Sequence, residues 1–157
     1  TRRILNQTQK VYDENKATFD ASGFSVHEVL TLASVVQFEA KTLDDMKMIS
    51  QVFRNRLDAN MALQSSVTVC YALYEYDSWK DCENLDNQQL DSPYNTYLYK
   101  GLPIGPITNP SEQSIIATLN PTANDYLFFI ADIYGDGSVY YAKTYAEHLA
   151  NVEKYLK

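Results

Sequence analysis

The stretch Phe24-Ser25-Val26-His27-Glu28-Val29-Leu30-Thr31-Leu32-Ala33-Ser34-Val35-Val36-Gln37-Phe38-Glu39-Ala40 decides the fold. Ser25 followed three residues later by Glu28 is a capping box, and Phe24 is placed to staple against Val29. The predicted helix runs from there to about Ala40. Val29, Leu32, Val36 and Glu39 follow helical spacing, so Glu39 lies on or beside the buried face. A helix this apolar runs through a core. Glu39 is the only charged residue between Glu28 and Lys41. An ionised carboxylate costs several kcal/mol to desolvate, and one held in apolar surroundings has a raised pKa that suits proton donation near neutral pH. Taken alone, the stretch favours the plainer alternative, a carboxylate turned to solvent as the helix ends.

Outward from this helix, Thr42 caps a second one, with Asp45 at its third position and Met46, Ile49, Phe53 and Leu57 as its apolar stripe. Asn60 and Met61 end it. Residues 65–80 are ambiguous. From Cys82 to Pro110 no helical period exists, and Ser92-Pro93, Leu102-Pro103 and Gly105-Pro106 punctuate the chain. A loop of this length is functional or disordered, and Tyr94, Tyr97, Tyr99 and Leu102 argue against disorder. Asn109-Pro110-Ser111-Glu112 predicts a further helix start with Asn109 as cap, stopping at Asn120-Pro121. Residues 126–131 and 138–142 read as strands joined by a turn at Gly135-Asp136-Gly137. Thr144 and Glu147 open a C-terminal helix, and residues 4–18 form a polar N-terminal one. The expected fold is α+β: one mainly helical domain over 1–157, with a β-hairpin in its C-terminal half. The long irregular loop forms one wall of a cleft.

Composition narrows function. A net charge of −7, with no basic cluster, argues against nucleic acid and against docking on anionic lipid. Tyrosine outnumbers the other aromatics, 13 against 6 Phe and 1 Trp, which suits wet, polar clefts such as those that hold sugars. Most of these tyrosines nonetheless fit strands and core edges. Cys70 and Cys82 are the only cysteines; a disulfide would fit export and free thiols the cytosol. His27 and His148 show no metal-ligand spacing and read as structural, so no metal is expected. Asp132-x-Tyr134-x-Asp136-Gly137 imitates part of an EF-hand loop. Tyr134 and Lys143 stand where oxygen ligands belong, so a hairpin turn is the better reading. No phosphate-cradling glycine motif or nucleophile elbow occurs. The apolar run 29–36 is too short to span a bilayer. The chain starts at Thr1 without Met and reads as a domain cut from something larger.

Glycosidases usually need two carboxylates. Asp44 and Asp45 lie near Glu39 in sequence, but helix-terminal charge explains them better. If Glu39 cleaves glycosidic bonds, it works without a carboxylate partner. One acid suffices when the attacking hydroxyl belongs to the substrate.

Several blocks occur together in order. Leu32-Ala33-Ser34-Val35-Val36-Gln37-Phe38-Glu39 is followed by Val52-Phe53-Arg54-Asn55-Arg56-Leu57 and Met61-Ala62-Leu63-Gln64-Ser65. Then come Ser92-Pro93-Tyr94-Asn95-Thr96-Tyr97, the run Gly101-Leu102-Pro103 to Asn109-Pro110, Asn120-Pro121 with Asp125 to Phe129, and Lys143-Thr144-Tyr145 with Glu147-His148. From about residue 25 to 157 the chain resembles the YceG-like (MltG) endolytic murein transglycosylases. The resemblance implies a lytic transglycosylase that cuts between N-acetylmuramic acid and N-acetylglucosamine inside peptidoglycan strands. The muramic acid's own C6 hydroxyl attacks, leaving a 1,6-anhydro end. The family's catalytic Glu maps onto Glu39, and no cofactor is implied.

Gln37 stands where many relatives carry a second Glu, and Ser66-Val67 replaces an Asp-Pro pair. Gln64, Ser65, Thr68, Tyr94, Asn95 and Thr96 are the expected substrate-binding residues, and Arg56 is expected to be structural. The resemblance further implies cell-wall synthesis partners. It implies an N-terminal membrane anchor and a LysM-like region outside this sequence, and a site at the extracytoplasmic face of the bacterial membrane. The alternative is a non-catalytic peptidoglycan-binding or scaffold module, with Glu39 as a mere polar contact.

Overall fold

A computed structural model describes residues 2–131 and 136–156. The decisive stretch forms helix α2 (Val26–Glu39) with Ser25 as N-cap and both halves of the capping box in place. Of the eight residues 29–36 all but Leu30 are buried, so the middle of α2 meets protein on every side. Helix α1 (Arg2–Ala21) precedes it and α3 (Leu43–Asp58) follows, capped by Thr42. Helix α1 is longer than the predicted 4–18 and is interrupted at Asn15, whose side-chain amide donates to the Val11 carbonyl. The ambiguous residues 65–80 resolve into α4 (Ser66–Leu73) and the start of α5 (Trp79–Glu83).

The chain then stays irregular up to α6 (Glu112–Leu119), apart from one 3-10 turn over Asn87–Gln89. The cap of α6 is Ser111, not Asn109. Ser111 Oγ accepts from the Ser114 N–H, and the Ser111 N–H donates to Gln37 Oε1. This tether to α2 sets the start of α6 two residues later and leaves Pro110 buried ahead of it. Strands β1 (Phe128–Ala131) and β2 (Val139–Ala142) pair antiparallel, Phe128 opposite Ala142. Residues 132–135, which include Asp132 and Tyr134 of the EF-hand-like stretch and the Gly135 end of the predicted turn, lie outside the described residues. Thr144 caps the final helix α7 (Tyr145–Tyr155), which packs on both strands.

Helix α2 packs on α3, α4 and α6, and α1 packs on α6. The main core gathers Leu32, Val35 and Val36 of α2, Ile49 and Phe53 of α3, and Leu63, Val67 and Ile107. Each large side chain here contributes roughly 1.5–3 kcal/mol by burial. Polar side chains of α3 fasten the loops to this core. Arg54 donates to the carbonyls of Ser22 and Thr118 and stacks over Phe24. Asn55 holds the carbonyls of Asn124 and Tyr126.

Cys70 of α4 and Cys82 of α5 form a disulfide, with their Cα atoms 5.0 Å apart. It closes a loop of sequence separation 12 and sits in a small cluster with Val69, flanked by Leu73 and Tyr97. Closing a loop of this size removes denatured-state entropy worth about 3 kcal/mol. Replacing both cysteines by alanine should lower the unfolding free energy by about that amount, read from urea unfolding with and without reductant.

Candidate active site

Glu39 ends α2 and is half-buried, its side chain turned inward rather than to solvent. Ser65 Oγ donates a hydrogen bond to Glu39 Oε1. Ser65 is the N-cap of α4, yet its hydroxyl makes no capping bond, because it is committed to the carboxyl. Its backbone is held from behind. The Ser65 N–H donates to Thr96 Oγ1 at 3.1 Å, Thr68 Oγ1 donates to the Ser65 carbonyl at 2.7 Å, and the two threonine hydroxyls bond to each other at 2.9 Å. All three hydroxyl residues are buried. The arrangement is a wired platform that fixes one hydroxyl against one carboxyl.

Burial pushes the Glu39 pKa above the ordinary carboxyl value. The Ser65 hydrogen bond and the Arg56 charge oppose that rise, and the Glu83 charge adds to it. Burial dominates, so the net shift is upward. Tyr97 lies in the same field. Burial, with the Glu39 and Glu83 charges, pushes its phenol up to about 12, so it stays protonated. Arg56 is buried and donates to the carbonyls of Leu127 (2.6 Å), Ala62 (3.0 Å) and Leu63 (2.8 Å). It is structural, as the sequence suggests, and its charge also works against the rise at Glu39.

The remaining sequence-predicted residues separate into two groups. Gln64 is exposed beside the platform. Its backbone has φ +53°, its N–H donates to the Thr96 carbonyl, and its Oε1 accepts from Arg56 at 3.5 Å. Tyr94 is half-buried against Tyr71, ring centroids 4.6 Å apart. Asn95 is buried and its amide is spent on backbone. It donates to the carbonyls of Gln88 and Leu90 and accepts from the Tyr97 N–H. It holds the loop that carries Thr96 and Tyr97. Asp45 is engaged at the start of α3 by Thr42 Oγ1 and by the Tyr141 hydroxyl.

Two residues near Glu39 escaped the sequence reading, Tyr97 and Glu83. Tyr97 sits in a quoted block, which was the available signal. Glu83 follows Cys82, whose disulfide to Cys70 joins α5 to α4, and no spacing announces that. Among the described residues, no group of three or more His, Cys, Asp or Glu side chains could hold a metal ion. No helix of the described residues is long and apolar enough to cross a membrane.

Phe38, the residue before Glu39 on α2, lines an aromatic cleft of about 320 Å³ together with side chains from α4, the α4–α5 segment and the long loop. Fold and site together define a mainly helical α+β domain with one desolvated carboxylic acid held by a buried serine hydroxyl. The chain belongs to the YceG-like family, which it matches over residues 1–154. It is 39% identical over 153 residues to the endolytic murein transglycosylase of Bacillus subtilis (strain 168), covering 98% of this chain and 41% of that protein. It is 38% identical over 160 residues to the endolytic murein transglycosylase of Streptococcus pneumoniae (strain D39), covering 98% of this chain and 29% of the relative. The chain thus spans less than half the length of these relatives. A crystal structure of a yceG-like protein from Listeria monocytogenes superposes with a TM-score of 0.81 at 41% identity, over 88% of this chain and 44% of that one. The family match extends N-terminally beyond the residue 25 at which the sequence resemblance begins, and so includes α1.

Proposed function

We propose that this chain is a catalytic domain that cleaves peptidoglycan strands internally as a lytic transglycosylase. The observation that carries the reading is the Glu39 carboxyl, desolvated and held by the buried Ser65 hydroxyl. The names of the relatives supply the substrate.

Glu39 starts protonated and gives its proton to the glycosidic oxygen between N-acetylmuramic acid and N-acetylglucosamine. As that C–O bond breaks, the C6 hydroxyl of the muramic acid bonds to its C1. Glu39, now a carboxylate, takes the C6 hydroxyl proton and returns to its starting state. The product ends in 1,6-anhydro-muramic acid, and no water is consumed. The cycle needs a carboxyl that is stable in both forms, and the environment is balanced for that. Burial favours the acid, while Ser65 and Arg56 limit the penalty on the carboxylate. Ser65, Thr68, Thr96 and Asn95 act by positioning, and substrate contact falls to Gln64 and Tyr94, the two that are not buried. The disulfide fits an oxidising compartment, consistent with action at the extracytoplasmic face, where murein lies.

Incubation of purified sacculi with the protein tests this reading. Release of soluble glycan fragments is expected; binding to sacculi without release would instead establish a scaffold module.

Replacing Ser65 by alanine removes the one hydrogen bond that favours ionised Glu39. The Glu39 pKa should rise further, so the alkaline limb of the rate profile, where the acid form is lost, should move to higher pH. The maximal rate should fall about tenfold through lost orientation. Sacculus digestion across a pH series reads both changes.

A further inference from the structure

Helix α5 has five residues, and Cys82 is the only one of them that is buried. A helix of that length does not hold in water without tertiary packing. Its capping box, Ser78 with Asp81, is exposed. Apolar cover comes from one small cluster, Val69, Cys70 and Cys82, flanked by Leu73 and Tyr97. The disulfide is therefore the anchor of α5.

What hangs on α5 leads to the acid. Asn87 Nδ2 donates to the Asp81 carbonyl at 2.8 Å and Gln88 Nε2 to the Glu83 carbonyl at 3.2 Å, so the 3-10 turn is tied to α5. The carbonyls of Gln88 and Leu90 accept from the buried Asn95 amide at 3.0 and 2.8 Å. The next residue, Thr96, accepts the Ser65 N–H through Oγ1 and the Gln64 N–H through its carbonyl, both at 3.1 Å. Ser65 in turn holds Glu39. A path of hydrogen bonds thus runs from the residues flanking Cys82 to the carboxyl. Glu83 is near enough for its charge to act on Glu39 and Tyr97. The main core of Leu32, Val35, Val36, Ile49 and Phe53 lies outside this path.

We propose that the Cys70–Cys82 disulfide is a redox latch on the site. Oxidised, it holds residues 74–91 and the brace behind Ser65 in place; reduced to two thiols, it releases them while the helices of the main core stay folded. The reductant is a dithiol, small or protein-borne. Its thiolate attacks one sulfur, the S–S bond breaks, and the dithiol leaves as its own disulfide. The two hydrogens of the dithiol end on Cys70 and Cys82. Both cysteines are buried, so the latch is set as the chain folds under oxidising conditions and holds afterwards. The inference is a regulation of the proposed active site and rests on that reading, yet the state of the latch can be measured without substrate.

Three forms would be compared by amide hydrogen exchange and sacculus digestion: the oxidised chain, the same chain refolded from urea with dithiothreitol, and the double variant Cys70→Ala with Cys82→Ala. In both unlatched forms the amides of 79–91, and those of Gln64, Ser65 and Tyr97, should lose their protection, while α2 and α3 remain protected. Cleavage should fall at least about tenfold through lost orientation of Glu39. Asn95→Ala cuts the path with the disulfide intact, and should free the Gln64 and Ser65 amides while α5 stays protected. Protection of Ser65 that survives loss of the disulfide or of the Asn95 amide would overturn the latch. So would loss of protection in α2 and α3 along with α5, which marks a staple of the whole domain, or equal cleavage by the oxidised and dithiol chains. If the oxidised chain leaves sacculi uncut, the enzyme reading fails, and hydrogen exchange alone decides the latch.

Discussion

Glu39→Gln should abolish peptidoglycan cleavage, by about a factor of 1,000 to 10,000, while making the protein more stable at neutral pH. The rate loss follows from removing the group that both gives and takes a proton, since positioned acid–base catalysis contributes up to about that factor. The gain in stability follows from linkage. Burial raises the Glu39 pKa in the folded protein above its unfolded value, near 4.5. A group of this kind contributes its full stability below the unfolded pKa, and that contribution is lost as pH rises through the folded pKa. At pH 7 the wild type therefore carries the cost of ionising or protonating a desolvated carboxyl, and glutamine, always neutral, does not. The two proteins should unfold at the same denaturant concentration below about pH 4.5 and separate progressively above it. Equal stability at all pH values would mean that Glu39 is not desolvated.

Arg56→Ala should be the most destabilising single change near the site, at about 3–5 kcal/mol. The guanidinium is buried with three carbonyl oxygens as its partners, those of Leu127, Ala62 and Leu63. It ties the end of α3 to the turn before Ser65 and to the entry of β1. Alanine leaves those carbonyls without their donor and opens a cavity, each a penalty of about 1–3 kcal/mol. Arg56→Lys should recover only part of the loss, because one ammonium cannot reproduce the planar fork. The same loss removes a positive charge that holds the Glu39 pKa down. The alkaline limb of activity should therefore shift upward in any Arg56 variant that still folds. Chemical denaturation and a pH–rate series read the two effects separately.

Much of this molecule is legible in its sequence because its signals are local. Ser25 with Glu28, Thr42 with Asp45, and Thr144 with Glu147 each place a cap where the helix begins. The apolar spacing of α2 correctly sets Glu39 on the inward side. The Asn109 cap failed for a non-local reason: Gln37, over seventy residues earlier, takes the Ser111 N–H and moves the helix start. The disulfide stayed open because one pair of cysteines states no compartment and no geometry. With it stayed hidden the α4–α5 hairpin, the approach of Glu83 to Glu39 and the aromatic cleft. The sequence named candidate site residues but could not say which of them turn inward. Thr68, Thr96 and Asn95 turn inward to brace Ser65 and the loop, a distinction that depends on burial and appears only in three dimensions.

The central claim is that Glu39 alone exchanges the proton while the substrate supplies its own nucleophile. Mass spectrometry of the fragments released from sacculi tests it most directly. The account predicts new muramic acid ends one water lighter than reducing ends, produced by the wild type and absent with Glu39→Gln. Reducing ends that incorporate oxygen from labelled water, or the same anhydro ends from Glu39→Gln, would contradict it.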